Sequence, residues 1–350
     1  MTVPQNLKDT KVLKHFSHLQ KSLKELQHPI SIELHPSNKC NLNCLDCGYR
    51  ALLSYHGNEK TFVVMTRETL LDLAKQFSDL NIKAITISGG GDPSLNPYLS
   101  EFLKELQKNK IKYGVITNGV YLNKFLPKEL VKGEYVRFSL YTDATPQQFF
   151  STIKNIRLLV NLKNKLKTNC IMGIGLLVDT TDYIRTSQII EELNKINISY
   201  ISFRPKEYLN RKLDNRNWDE PIGYLKKIKI KHPNNLEDLK RRISELHEAK
   251  PYVNCLSLHL ASHIDANGNV YPCCEQTGNQ KYLMGNIYKN PFKEIWYSKK
   301  YSDLRNNLDA KKCPYCRYNL KNIVLHKALK NEINLKDFEK DMQHSHADFL

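Results

Sequence analysis

Apolar positions change their period several times along the chain. Leu7, Val12, Leu13, Phe16, Leu19, Leu23 and Leu26 recur every three to four residues, which predicts an amphipathic helix over 7–27 packed on the outside of the remaining fold. His28-Pro29 closes it, because the residue before a proline is pushed out of the helical region. The apolar run over 30–34 then reads as a first strand. Beyond it, helices over 66–80, 98–109, 124–132, 146–162 and 183–196 interleave with strands over 84–87, 112–117, 135–141, 169–178 and 200–203, and Thr66 is placed to cap the first of those helices. Strands two, three, five and six are almost continuously apolar or small, as in parallel sheets covered on both faces. Six strand-helix units in about 175 residues predict an α/β fold, a partial (β/α)6 barrel and not a closed eight-stranded one. Right-handed crossovers then bring every strand C-terminus to one rim.

The pattern changes after the sixth strand. Residues 207–250 are polar and charged with a helical stretch over 236–249, a connector that also covers the barrel mouth. A small C-terminal β-hairpin/helix domain comes next: apolar segments over 257–260 and 263–274 around the Asn267-Gly268 turn, a helix, then Cys313-Pro314-Tyr315-Cys316. The expected division is therefore 1–29 for the N-terminal helix, 30–206 for the barrel, 207–250 for the connector, 251–325 for the small domain and 326–350 for a tail. That tail, with His326, His344 and His346, carries a weak helical pattern and reads as a docking segment or a frayed end.

Bulk properties narrow the class. The chain of 350 residues is 41% apolar, a globular value, and its nine cysteines come with no apolar stretch near Met1 that would mark a secretory signal. Clustered thiols in a reducing compartment mean metal more often than disulfide, so the expectation is a cytoplasmic protein. The longest apolar run, 170–178, is far too short to span a bilayer, so no membrane is expected. The net charge of +17 invites an anionic partner. Lys226, Lys227, Lys229, Lys231, Lys240, Arg241 and Arg242 form the densest basic region, yet the basic residues are spread along helices, and Tyr208, Trp218 and Tyr224 do not alternate with them. This argues against nucleic acid as the partner.

Chemistry enters with Cys40, Cys44 and Cys47, spaced C-x3-C-x2-C immediately after the first strand. Three thiolates on one loop can hold three irons of a four-iron cluster and leave the fourth open to an outside molecule. A zinc site wants four ligands, and His35 and His56 lie outside the usual knuckle spacing. Ser88-Gly89-Gly90-Gly91-Asp92-Pro93 stands after the second strand. Together these motifs resemble the radical S-adenosylmethionine (SAM) enzymes, the glycine turn corresponding to their GGE-P motif with Asp92 in place of Glu. The resemblance implies that Cys40, Cys44 and Cys47 hold a 4Fe-4S cluster that chelates and cleaves SAM. It implies SAM contacts from Gly89, Gly90, Gly91 and Asp92, and from polar strand ends at Asn118, Ser139 and Arg204. The residue before the third cysteine is usually aromatic in that family but here is Asp46, so Tyr49 substitutes in supporting the adenine, or the adenine is held differently.

Cys255, Cys273, Cys313 and Cys316, with the hairpin, Gly285-Asn286-Ile287 and Glu294-Ile295-Trp296, resemble the auxiliary-cluster module of SPASM and twitch radical SAM enzymes. The resemblance implies a second, fully ligated 4Fe-4S cluster. A four-cysteine zinc ribbon has the same ligand count. Cys170 reads as a core thiol. Cys274 is either ordinary wording of this module or a catalytic hydrogen donor. The resemblance thus implies an oxidoreductase or epimerase that removes hydrogen from an unactivated carbon of a polar small molecule, served by a reductant such as flavodoxin or ferredoxin. Two other readings stand beside it: modification of a ribosomally made peptide, for which about 28 residues before the first strand are too few for a leader-binding domain, and a basic zinc-dependent RNA-binding module without catalysis.

Overall fold

The computed structural model describes residues 8–44, 46–206, 216–240, 243–244, 249–313 and 316–350. Six parallel strands, β1 (Ser31–Leu34), β2 (Ala84–Ile87), β3 (Lys112–Thr117), β4 (Tyr135–Tyr141), β5 (Ile171–Val178) and β6 (Tyr200–Pro205), lie side by side in chain order. The sheet does not close into a barrel, and it does not end at β1. β7 (Ala261–Ile264) pairs in parallel with β1, and β8 (Asn269–Tyr271) and β9 (Gly285–Asn286) continue antiparallel, giving the order β6-β5-β4-β3-β2-β1-β7-β8-β9. The small C-terminal hairpin is thus hydrogen-bonded into the sheet of the partial barrel. Most of the segment 257–260, expected as strand, lies in a 3-10 turn, Leu256–His259, in front of β7.

The helices follow the apolar periodicity. α1 (Phe16–Lys24), α2 (Gly48–Tyr55), α3 (Arg67–Asp79), α4 (Leu99–Lys108), α5 (Leu126–Leu130), α6 (Pro146–Leu166), α7 (Thr186–Leu193) and α8 (Asp219–Lys227) are succeeded by α9 (Phe292–Trp296), α10 (Lys299–Asn307) and α11 (Asn319–Leu329). Thr66 caps α3 by accepting from the Thr69 N–H at 3.2 Å, as expected. A capping box of Thr145 and Gln148 starts α6, which runs one turn beyond the expected 162 and stops where Lys167 turns left-handed at φ 52°. The pattern over 7–27 resolves into a 3-10 turn, Asp9–His15, and α1, which ends at Lys24 before reaching His28-Pro29. Likewise 183–196 is a 3-10 turn, Tyr183–Arg185, and α7. In the connector, Leu236–Asp238 is a 3-10 turn. Tyr208, Arg241, Arg242, residues 245–248 of the expected helix and Pro314-Tyr315 of the C-terminal knuckle lie outside the described residues.

The tail is docked, which removes the frayed-end reading. Asp348 pairs with Lys14 at 2.7 Å, Lys112 at 2.8 Å and His15 at 3.3 Å, while Phe349 packs on Ala84 and Tyr135 at the strand N-termini. Val12, Leu13, Phe16 and Leu19 bury their apolar face against Leu325 and Ala328 of α11. N- and C-terminal segments therefore close the end of the sheet opposite the cysteine rim. Trp218 is buried under the Arg216 guanidinium and offers no open stacking face on the basic connector, while the Tyr224 hydroxyl donates to the Ile184 carbonyl at 3.1 Å. Among the described residues no helix is long and apolar enough to cross a membrane.

Candidate active site

The first cysteine loop is held in place by its neighbours. The Gly91 N–H donates to the Ser37 carbonyl at 3.1 Å and the Asp92 N–H to the Lys39 carbonyl at 2.7 Å, so the glycine turn after β2 pairs with the chain entering the cysteines. Only glycine permits this approach: a Cβ on Gly91 would lie 1.8 Å from the Lys39 carbonyl oxygen, and one on Gly90 would lie 2.2 Å from Asn38 Oδ1 and 2.5 Å from the Tyr49 ring. On the far side, Arg50 of α2 donates to Asn43 Oδ1 at 2.6 Å and to the Cys44 carbonyl. The Asn118 side-chain amide donates to Asn41 Oδ1 at 2.8 Å and lies 3.8 Å from Cys40 Sγ.

Two expected cofactor contacts prove to be engaged inside the protein. The buried Asp92 carboxylate accepts from the Ser94 N–H at 2.9 Å, Ser94 Oγ at 2.6 Å, Thr117 Oγ1 at 2.9 Å and the Asn118 N–H at 2.6 Å. Burial pushes its pKa up against these bonds. What this turn presents outward is the backbone of Gly89, Gly90 and Gly91. The Tyr49 ring, the alternative adenine support, is packed against Gly90 and edge-on to His35 at 5.6 Å.

Cys40, Cys44 and Cys47 line a cavity of about 670 Å3 at the strand C-terminal ends, together with Gly89, Gly90, Gly91, Asp92, Asn118, Ser139 and Arg204. Every residue expected at the SAM site thus reaches one cavity. Burial, followed by the neighbouring Cys47 and Cys40, pushes the Cys44 thiol up to about 11, and burial raises Cys40 as well. As bare thiolates these groups would repel one another, and a cationic metal core removes that repulsion as the protons leave. Three convergent thiols and a glycine-lined backbone cradle fit an incompletely ligated cluster with a small polar molecule beside it.

The second cysteine group is separate. Cys255, Cys273, Cys313 and Cys316 surround a small pocket of about 30 Å3, enclosed by Tyr252, Leu258 and Leu308. Burial and mutual repulsion push Cys255 up to about 12, and burial above all pushes Cys316 up to about 11 and raises Cys313, the nearby Lys250 cation opposing the rise in Cys313 and Cys316. Cys274 is absent from this set. Its side chain belongs to the 670 Å3 cavity and to an adjoining one of about 280 Å3 further down the barrel, in each case with Glu33, Arg137, Arg204 and Arg317. Cys170 is a core thiol as expected, 1% exposed and pushed up to about 12 by burial.

Sequence reasoning missed Glu33, Arg137, Arg50 and the helix α2. Glu33 and Arg137 are charges within otherwise apolar strands, and the period of two aims both into the barrel; that signal was visible. Glu33 accepts from Ser88 Oγ at 2.6 Å and faces His35 Nε2 at 3.4 Å. Its pKa is held well below the usual carboxylate range by His35, His263 and Ser88, against the opposing effect of burial. The signal for α2 was the run Ala51-Leu52-Leu53 just after the third cysteine, all three residues buried.

Comparison with known proteins locates two families on the chain. Residues 34–164 match the radical SAM superfamily and residues 255–318 match SPASM, an iron-sulfur cluster-binding domain. A radical SAM cyclopropyl synthase, TigE, from Paramaledivibacter caminithermalis is 27% identical over 212 residues, 53% of this chain and 44% of that protein. The chain thus aligns with less than half the length of that relative. A tungsten-containing aldehyde ferredoxin oxidoreductase cofactor-modifying protein from Pyrococcus furiosus is 24% identical over 304 residues, 77% of this chain and 81% of that one. Among solved structures, Streptococcus suis SuiB bound to its precursor peptide SuiA superposes with a TM-score of 0.59 at 17% identity, covering 84% of this chain and 70% of that one, a likeness of fold.

Proposed function

Because the chain belongs to the radical SAM superfamily and carries a SPASM iron-sulfur domain, we propose that it inverts a stereocentre of a polar substrate, with Cys274 returning the hydrogen atom. Its cofactors are SAM with a 4Fe-4S cluster in the partial barrel and iron-sulfur in the SPASM region. In this reading Cys40, Cys44 and Cys47 hold the barrel cluster, and Cys255, Cys273, Cys313 and Cys316 hold one auxiliary cluster. The backbone of Gly89 to Gly91, Ser139 and Arg204 contact SAM, while Asp92 and Asn118 position the loops that carry those contacts. Bound SAM supplies, on one-electron reduction, a 5′-deoxyadenosyl radical that removes hydrogen from carbon.

The observation that carries the reading is the place of Cys274, in the wall of the cavity that also holds the first three cysteines and outside the pocket of the other four. Burial raises its pKa far above the ordinary thiol value. The thiol therefore stays protonated at neutral pH, the form that gives up a hydrogen atom. That atom goes to the substrate carbon, leaving a thiyl radical on Cys274; one electron from a flavodoxin- or ferredoxin-type reductant and one proton restore the thiol. The substrate loses one hydrogen and gains one and is neither oxidised nor reduced, while the reductant supplies two electrons per turnover, one to cleave SAM and one to restore the thiol. Arg137 and Arg317, the latter paired with Glu275 at 3.0 Å, line the same cavity and suit a substrate with anionic or hydroxyl groups.

Peptide modification is the second reading. It is favoured by Phe62, 74% exposed at the cavity rim, and by the fold shared with a protein solved on its precursor peptide. Solvent-deuterium labelling tests the first reading. Turnover in D2O with SAM, reductant and candidate polar metabolites should give product of substrate composition carrying one deuterium, because thiol hydrogen exchanges with solvent. A product two hydrogens lighter with no deuterium means dehydrogenation and removes the role given to Cys274.

A further inference from the structure

Glu33 and His35 alternate on the same face of β1 and its immediate extension, and the ladder to β7 sets His263 directly beside Glu33. The period of two and the parallel register therefore converge three side chains on one point. One ligating atom from each lies within 4.8 Å of the other two. The His35 and His263 rings meet edge to face at 4.3 Å.

His263 is fully buried, at 0% exposure, and neither of its ring nitrogens has a hydrogen-bond partner; Nδ1 of the 5%-exposed His35 is also buried without one. A neutral imidazole carries one donor and one acceptor. Native structures rarely leave such groups buried and unsatisfied. A core histidine with an ordinary structural role would show a partner on at least one nitrogen.

We infer that Glu33, His35 and His263 bind a divalent transition-metal ion of the zinc class, at the junction between the partial barrel and the C-terminal hairpin. Two imidazoles and one carboxylate are an established donor set for such ions, and bonds of about 2.0–2.2 Å need only small side-chain adjustments from this arrangement. Glu33 and His35 also line the large cavity, so the remaining coordination position opens towards it. There the ion takes a water or a substrate oxygen and orients the substrate against the cavity wall. The site uses none of the cluster cysteines, and it stands whether or not the reaction is an epimerisation.

The test is zinc binding by the full chain with its clusters in place. Protein reconstituted anaerobically, incubated with zinc(II) and desalted, should keep one zinc per chain in addition to cluster iron. X-ray absorption at the zinc edge should show only nitrogen and oxygen donors at about 2.0–2.1 Å. His263→Ala and Glu33→Gln should each lose the zinc with iron content unchanged, and Cys274→Ser should keep it. No retained zinc in the wild type, a shell containing sulfur, or zinc retained in His263→Ala with full iron would each overturn the assignment. The absorption measurement needs no variant, so a misfolded substitution does not protect the inference.

Discussion

The Asp92 carboxylate accepts the backbone N–H of Asn118 at 2.6 Å, fastening the glycine turn after β2 to the end of β3. Through Asn118, whose amide reaches Asn41 at 2.8 Å, the same bond steadies the first cysteine loop. Replacing Asp92 with Ala leaves the Ser94, Thr117 and Asn118 donors buried without their acceptor, at a cost on the order of 3 kcal/mol. Denaturant unfolding should show a loss of that size, and Asp92→Asn, which keeps one acceptor oxygen, should lose less.

Gly91→Ala should damage the barrel cluster selectively. The new Cβ would have to displace the Lys39 carbonyl oxygen, which lies 1.8 Å from its ideal position, and the cysteine loop moves with it. Iron should fall from about eight to about four per chain and SAM cleavage should vanish, while the auxiliary pocket, built from other elements, keeps its share. Iron and sulfide assays with a 5′-deoxyadenosine assay read all three.

The two adjacent thiols should separate cleanly. Cys273→Ser should remove the auxiliary cluster, lowering iron to about four per chain. Cys274→Ser should keep full iron and still release 5′-deoxyadenosine, but give no deuterium-labelled product. Loss of iron in Cys274→Ser would make Cys274 a cluster ligand and end its assignment as donor.

Acid should loosen the docked tail in two stages. Burial holds His346 down to about 3, below its unfolded value near 6.5, so the unfolded chain binds more protons between those pH values. Its contribution to stability is complete above pH 6.5 and declines as pH falls, by at most about 1.4 kcal/mol per pH unit. Asp348 has its pKa held low by His15, Lys112 and Lys14, against the effect of burial. Its contribution is present above the unfolded carboxyl value near 3.9 and declines as pH falls below it. Burial holds His259 down to about 4 and His263 down to about 3, so they titrate in the same window as His346; melting temperatures measured from pH 7 to pH 3 should therefore decline less steeply in His346→Phe than in the wild type over the upper stage, with the lower stage unchanged.

Much of this protein is legible in its residues because the governing interactions are local. Apolar period distinguishes helix from strand within a dozen residues, and C-x3-C-x2-C puts three thiolates on one loop whatever surrounds it. Strand ends and a glycine turn one unit later then have to meet at the rim, since right-handed crossovers align every parallel strand. On these grounds the six-unit partial barrel follows from the residues, as does the meeting of Cys40, Cys44, Cys47, Ser139 and Arg204 at one cavity. The end of α1 before the proline was not, nor was α2, where weak local preferences yield to burial of one face.

Tertiary structure decided what depends on contacts distant in the chain. That β7 pairs with β1, and in the register that sets His263 beside Glu33, rests on backbone groups some 230 residues apart, which no local period encodes. Pairing of that edge puts Cys274 in the barrel wall and its neighbour Cys273 in a separate pocket. Asp92 shows the same limit at shorter range: its residue type and position in the turn announced a polar contact, and only the folded chain revealed that its partners are the protein's own buried donors.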